Sequence, residues 1–573
     1  MVLLVATIYH LRWRFGMNPD GVSYIDMALQ ASAGNLDAWV NAYWSPLFPV
    51  ILTPLFKIFR PEMNELYPLV HAVQGGLLVL GYFLFRSLAR ELSPAVDHER
   101  SPLERLPSLL GSELLIAFIY IWVHSRIGLQ SYVTPDLLGY VLMWGMSWAG
   151  VRFTRNGTWR SGITLGFAAG LAGLTKAFYV PYGALGIGLA LILGAKRLRG
   201  LAVAAVFLAI MSVWWVPLRE KYPQFPWGAA GPLNRAWSTQ KMGVSFIHWH
   251  PEVALGASES GVPTHTTRLL QHEPPIFEFA APISATYAPW YDPAYWFEGV
   301  KVAASPSQRF SRIHEVFRTA SRVLFYKEFL FFLILIGSWA LFLAGGAKSL
   351  FSVGLKRLAQ DRGLLWLGLH ASGGLGAYMT MGSLPRYWGG LLLLLLLTVL
   401  ATFCVSSTVS RGVDVAKRVS RFSTAVLFIS AFLALRMFPW GVVYHAVKTS
   451  SKGTSESIEI ARALRSPDGL NLEAGQLIGY IGNSFDAYFM QLAGLRVGAE
   501  IPDKVDGPKR LCRATSEQQC RSLELMMGSG MTAVVIDQRV SCADHLVSTC
   551  GTRPTLAGRV HSIRHLLSVI RKE

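Results

Sequence analysis

Apolar stretches close to a bilayer crossing in length recur along the chain and set the first expectation. Runs such as 66–85, 201–218, 325–344, 389–405 and 423–443 approach the roughly 20 residues that a helix needs to cross the hydrocarbon core. The pattern predicts crossings at 66–88, 110–129, 136–153, 162–178, 179–195, 200–218, 325–345, 363–382, 385–405 and 422–443. A shorter apolar segment, 1–11, brings the expected total to about eleven. It supplies about half the usual length, so either the true start lies upstream or this helix is short and partly interfacial. No small-residue cleavage site follows it, which argues against a removed signal peptide.

Between the crossings lie two long polar-to-mixed segments, 12–65 and 219–326, and a tail, 446–573. The first carries helical patterning at 23–33 and 46–59, suited to helices lying along the membrane face, with Trp39, Tyr43 and Trp44 at headgroup depth. The second is rich in tryptophan, tyrosine and proline, a composition that suits an ordered, functional loop. In the tail, strand-length apolar runs at 476–481 and 532–537 flank a helix-like 485–493, which predicts a β-α-β unit in a small α/β domain.

Composition agrees: 52% of residues are hydrophobic, 15% are charged, and mean hydropathy is +0.36. The chain is therefore expected to be a polytopic α-helical membrane protein, with residues 1–445 in the membrane part and 446–573 in a C-terminal extracytoplasmic α/β domain. The net charge of +18 changes the picture only through its placement. Basic residues gather in every second short loop, for example Arg86, Arg90, Arg152, Arg155, Lys196, Arg197, Lys356, Arg357, Lys417 and Arg418, while the alternate loops hold almost none. That asymmetry puts the basic loops and the N-terminus in the cytoplasm and the tail outside. It implies contact with anionic lipids, with no nucleic-acid partner. Of five cysteines, Cys512, Cys520, Cys542 and Cys550 fall in the tail. Two disulfides in an oxidising compartment fit that set; a metal site is the alternative, although no C-x-x-C spacing occurs.

Motifs for nucleotide hydrolysis, dinucleotide binding, serine hydrolysis and zinc proteolysis are absent. The polar candidates fall at the outer ends of crossings and in the outer loops. In Asn18-Pro19-Asp20-Gly21-Val22-Ser23-Tyr24-Ile25-Asp26, helical spacing puts Asp20 and Tyr24 on one face and turns Asp26 away. The same residues also spell a β-turn with Asp20 as a helix cap. Arg386-Tyr387 and Lys176 stand at outer helix ends, where a cation either grips a phosphate or snorkels to headgroups. Thr134-Pro135-Asp136 reads as a helix start, and Asp136 is also a candidate ligand for a divalent cation, Mg²⁺ or Mn²⁺. His71 either lines a cavity or sits hydrogen-bonded in the core. Asp292, among aromatics, either meets a sugar or packs its loop. His248 and His250 are close, without further ligands in view.

An acid just after the first crossing, then Tyr24, then Trp44-Ser45-Pro46-Leu47-Phe48-Pro49, resembles the GT-C superfamily of membrane glycosyltransferases. The likeness extends to the general plan of loops and crossings, and it is distant to protein mannosyltransferases and aminoarabinose transferases. Residues 286–296 and Arg386-Tyr387 resemble segments of related transferases. The resemblance implies a polyprenyl-phosphate or diphosphate sugar donor, an acceptor hydroxyl on a glycan, lipid or protein, and Asp20 as catalytic base. It further implies substrate contacts from Tyr24, Tyr43, Trp44, His71, Lys176, Asp292, Arg386 and Tyr387, and residence in a bacterial cytoplasmic membrane. Gly21 stands where a second acid often follows in protein mannosyltransferases. Two other functions remain open: a transporter or flippase of a lipid-linked saccharide, and a non-catalytic glycan-binding assembly protein.

Overall fold

The computed structural model describes residues 2–92, 131–194, 197–223, 225–234, 268–279, 283–291, 347–381, 385–404, 456–467, 470–537, 539–550, 558–560 and 567–571, with scattered positions in 116–124 and 310–318. The expected crossings at 325–345 and 422–443, most of 110–129, the pair His248 and His250, and Asp292 lie outside the described residues.

Helices Val2–Trp13, Leu66–Leu92, Asp136–Asn156, Trp159–Gly173, Tyr179–Leu193, Arg197–Lys221, Arg362–Met381 and Pro385–Cys404 form where crossings are expected. Among the described residues, Leu66–Leu92 and Leu198–Lys221 are long and apolar enough to cross a membrane, and Val2–Trp13, Leu47–Phe59, Tyr179–Leu193 and Arg386–Val399 are shorter apolar helices. Only 33% and 28% of the most apolar windows of the two long helices are buried. A core helix of a soluble protein would hide most of that surface; here Leu80, Phe83, Leu208 and Val213 face outward, as lipid contact requires.

The Asp136–Asn156 helix packs against Leu66–Leu92, Trp159–Gly173, Arg362–Met381 and Tyr179–Leu193 and carries fully buried Trp144. It also polarises the bundle. At its start stands Asp136; at its far end, about 29 Å away at 1.5 Å per residue, Arg155 pairs with Asp361 (2.5 Å) and donates to the Glu91 carbonyl (2.6 Å). Asp136 and Arg155 thus stand at opposite ends of this helix, each in its own ionic cluster.

Among the described residues the strands form one seven-stranded sheet in the order β1-β2-β4-β3-β5-β7-β6: β1 Arg268–His272, β2 Pro275–Glu278, β3 Leu477–Gly482, β4 Arg496–Pro502, β5 Ala533–Asp537, β6 Gly558–Val560 and β7 Leu567–Arg571. This corrects two expectations. The sheet is not confined to 446–573, because the β1–β2 hairpin comes from the segment 219–326 and pairs with β4. The β-α-β unit runs from β3 through the Tyr488–Leu492 helix to β4, which lies parallel to β3; β5 follows only after helices Gly507–Arg513 and Ser516–Gly528. A glycine and a glutamate hid β4 among the apolar runs, yet Glu500 is fully buried, its carboxylate accepting from Tyr287 Oη (3.0 Å) and Ser484 Oγ (2.6 Å). The four tail cysteines pair as Cys512–Cys542 and Cys520–Cys550, as disulfides rather than metal ligands.

Candidate active site

Asp20 sits in the first turn of helix Pro19–Ser32, which Pro19 starts with a preset φ. Asp20 is not the cap. The N-cap is Asn18, and its side chain does not cap either: Oδ1 accepts from Val133 N at 2.7 Å, tying the helix start to segment 131–135. Gly21 permits this approach. A Cβ there would stand 2.6 Å from Met17 Sδ, 2.7 Å from Val133 Cβ and 3.0 Å from the Val133 carbonyl, so the second acid of the mannosyltransferase pattern has no room.

Close docking brings Asp20 to an ionic cluster assembled from three other segments. Arg386 Nη2 lies 3.4 Å from Asp20 Oδ2, and Arg386 Nε lies 3.9 Å from Asp136 Oδ2. Lys176 Nζ meets Asp136 Oδ1 at 2.5 Å, and Thr134 Oγ1 donates to Asp136 Oδ2 at 2.9 Å. Tyr140 Oη donates to the Arg386 carbonyl at 2.8 Å, fixing the start of the Pro385–Cys404 helix. Aromatic rings flank the cations: Lys176 Nζ lies 4.2 Å from the Tyr387 ring centre, and the Arg386 guanidinium lies 4.9 Å from Tyr132 and 5.3 Å from Tyr387. Such contacts hold a cation in a defined place without neutralising it. Arg386 Nε has no hydrogen-bond partner among the described residues. A buried donor left open in this way suits an anionic ligand.

Burial pushes the Asp20 carboxyl above its ordinary value, against the pull of Arg386 and Lys176. The side chain nevertheless keeps 24% of its surface accessible, so a reacting group can reach it. Tyr24, one turn on, and Tyr43 both have hydroxyls pushed up, first by burial and then by the Asp20 charge. Trp44 packs edge-on against Tyr24 (5.1 Å) and Tyr43 (4.7 Å). Asp20, Tyr24, Tyr43, Trp44, Lys176, Arg386, Tyr387 and Asp136 therefore gather in one region.

Asp136 does not fit the expected metal. Its oxygens are taken by Lys176 and Thr134 and face Arg386, and a hard divalent cation wants several free oxygen ligands. Among the described residues no group of three His, Cys, Asp or Glu could hold one. His71 does not join the site: Nε2 bonds the Gly16 carbonyl at 2.8 Å, and the ring borders a separate small cleft with Tyr9, His10 and Gln74. It is a core histidine that ties the Leu66–Leu92 helix to the turn before Asp20.

Asn41 and Gln491 escaped the sequence. Asn41 Oδ1 accepts from the backbone N–H of Tyr43 (2.9 Å) and Trp44 (3.0 Å) while Nδ2 donates to the Tyr291 carbonyl (2.9 Å). That Asx-turn is the local signal that could have revealed it. Asp26, turned away as expected, accepts from Thr286 N (2.7 Å), Thr286 Oγ1 (2.9 Å) and Gln491 Nε2 (2.7 Å). Burial raises its carboxyl to about 6 against the hydrogen bonds that lower it. Ser23 Oγ and Trp44 Nε1 both donate to the Trp290 carbonyl, at 3.2 and 3.0 Å. Segment 283–291 and the Tyr488–Leu492 helix beside the sheet are thus fastened onto the helix that bears Asp20.

No family model matches the sequence, and no curated protein matches it. Among solved structures, the chain is similar to the archaeal oligosaccharyltransferase AglB from Archaeoglobus fulgidus in complex with an inhibitory peptide and a dolichol-phosphate, at 12% identity over 96% of this chain and 70% of that one, with a TM-score of 0.44. It is also similar to ArnT from Cupriavidus metallidurans in the apo state (12% identity, 99% and 97% covered, TM-score 0.39) and bound to undecaprenyl phosphate (11% identity, 99% and 96% covered, TM-score 0.40). Likenesses of this size carry no functional argument, and the chemistry rests on the geometry of the site.

Proposed function

We propose that this chain is a glycosyltransferase of the bacterial cytoplasmic membrane. It moves a sugar from a polyprenyl-phosphate or diphosphate carrier to an acceptor hydroxyl on the extracytoplasmic side. The single observation that carries the proposal is the meeting of Asp20 with Arg386, with Lys176 next to them on Asp136.

The chemistry follows from the leaving group. A glycosidase needs two carboxyl groups, one of them protonated, because an alkoxide leaves poorly. A phosphate departs as a stable anion, so one base and a cationic grip suffice. Asp20 takes the proton of the acceptor hydroxyl as its oxygen attacks the anomeric carbon. The bond from that carbon to the phosphate oxygen breaks, and the electron pair stays with the phosphate, held by Arg386 and Lys176. Asp136 positions those two cations. Before the carrier arrives, Arg386 faces Asp20 at 3.4 Å, a loose pairing. The carrier's phosphate, with its negative charge shared between non-bridging oxygens, competes for that guanidinium and leaves Asp20 the freer to accept a proton.

Vesicles containing the full-length protein and a labelled undecaprenyl-phosphate sugar test the proposal. A transferase consumes the carrier and labels an acceptor. Movement of intact carrier between leaflets without consumption points to a flippase and overturns the enzymatic assignment.

A further inference from the structure

The Leu66–Leu92 helix carries two buried polar side chains, His71 and Gln74. Three positions apart, they lie on one face of the helix. Each reaches a backbone carbonyl in a different non-helical segment. His71 Nε2 donates to the Gly16 carbonyl at 2.8 Å, and Gln74 Nε2 donates to the Tyr132 carbonyl at 2.9 Å. The two segments are also tied to each other, because Asn18 Oδ1 accepts from Val133 N at 2.7 Å. The three bonds close a ring through the helix, residues 16–18 and residues 132–133.

Each segment leads into one half of the ionic cluster. Asp20 follows Asn18 by two positions. Asp136, which holds Lys176 at 2.5 Å and stands 3.9 Å from Arg386, follows Val133 by three. Tyr132 itself sets its ring 4.9 Å from the Arg386 guanidinium and is 40% exposed there. His71 and Gln74 are only 3% and 2% exposed, so they act on a ligand through the segments they hold. Buried polar side chains on a membrane-crossing helix are costly and persist where they serve a function. Gln74 shows the cost: its Oε1 has no hydrogen-bond partner among the described residues, so the amide satisfies Tyr132 without being fully satisfied itself.

We infer that Gln74 and His71 are positioning residues of the proposed transferase, an inference that rests on the glycosyl-transfer function. From one face of one helix they fix the spacing between Asp20 and Arg386. Gln74 acts through segment 132–136, which sets Tyr132 and Asp136 against Arg386. His71 acts through segment 16–18 and so sets where the Pro19–Ser32 helix begins. Slack at either carbonyl lets the 3.4 Å approach of Arg386 to Asp20 open. Burial raises the Asp20 carboxyl, Arg386 and Lys176 lower it, and Asp136 raises it, so retreat of Arg386 raises it further.

The test uses the full-length protein in vesicles with a labelled undecaprenyl-phosphate sugar. Gln74→Met and His71→Leu remove the donors. Both are expected to lower kcat about tenfold or more, with KM for the carrier sugar changed by about twofold or less, and to move the acidic limb of kcat/KM to higher pH. His71→Gln keeps a donor where Nε2 stands and is expected to recover most of the rate. Melting temperatures verify folding. Should Gln74→Met and His71→Leu fail to fold, His71→Gln is compared with His71→Asn, whose amide falls short of the Gly16 carbonyl and should be the slower. Wild-type kcat and an unmoved limb in folded Gln74→Met, a loss confined to KM, or no advantage of His71→Gln over the shorter or apolar variant overturns the inference alone. A wild type that transfers no sugar overturns the transfer function and the inference with it, so the two failures are distinguishable.

Discussion

Arg386 Nη2 and Asp20 Oδ2 stand 3.4 Å apart although 366 residues separate them along the chain. Two helix starts at the same end of the bundle deliver them, and Lys176 arrives from the turn between two further helices. The pairing explains why the acid and the cations belong to one site, and it makes the site sensitive to small shifts of the Pro19–Ser32 helix.

Gly21→Ala tests that sensitivity. The new Cβ would meet Val133 Cβ at 2.7 Å and its carbonyl at 3.0 Å, so the helix must retreat from segment 131–135 and carry Asp20 away from Arg386. Misplacement by about 1 Å lowers turnover about 100-fold. Transfer kinetics of the purified variant check this; wild-type rates would mean that the close approach has no catalytic role.

The pH profile follows from the Asp20 surroundings. Asp20 acts as a base only when ionised, so the rate falls as pH drops through its pKa. Burial raises that pKa and the neighbouring cations lower it. The acidic limb of kcat/KM is expected above the ordinary aspartate value of about 3.9, and Lys176→Gln is expected to move the limb of the residual activity to higher pH. A limb that moves the other way contradicts the assignment.

Asp26 links stability to pH with a definite sign. Its folded pKa is raised from 3.8 to about 6, so the stability tied to this group is fully present below 3.8 and is lost as pH rises through about 6. A difference of about two units corresponds to about 3 kcal/mol at most. Melting temperatures of wild type and Asp26→Asn, compared from about pH 4 to about pH 7, should diverge, with the wild type losing ground relative to the variant as pH rises. A constant difference would leave Asp26 without this linkage.

Reduction of the tail disulfides should loosen the outer sheet. Each bond spans 30 residues, and the two loops overlap. Closing loops of that size is worth about 3–4 kcal/mol each in the chain-entropy picture. Limited proteolysis of the reduced full-length protein is expected to cut within 512–550 while the membrane helices resist; cleavage unaffected by reductant would show that packing alone holds the tail.

How much of this was legible follows from what each feature demands. Helices that face lipid need long apolar runs, so their positions stood out, and charge in alternate loops marked which ends share a side. The candidates Asp20, Lys176 and Arg386 could be put at that side, but no spacing rule reports that residues 366 positions apart touch. Strand β4 was missed because Gly498 and Glu500 interrupt its pattern, the glutamate being tolerated by hydrogen bonds from Tyr287 and Ser484. Asp136 looked like a metal ligand only while Lys176 and Arg386 were out of view. Helical spacing turned Asp26 away from Asp20, yet its donors come from Thr286 and Gln491, far along the chain.

The most direct measurement is sugar transfer by Asp20→Asn in reconstituted vesicles, alongside undecaprenyl phosphate binding. The change keeps the side-chain shape and removes the base, so carrier binding should persist while transfer falls by a factor of about 100 to 10,000. Transfer at the wild-type rate by a variant that still binds carrier would contradict the assignment of Asp20 as the base.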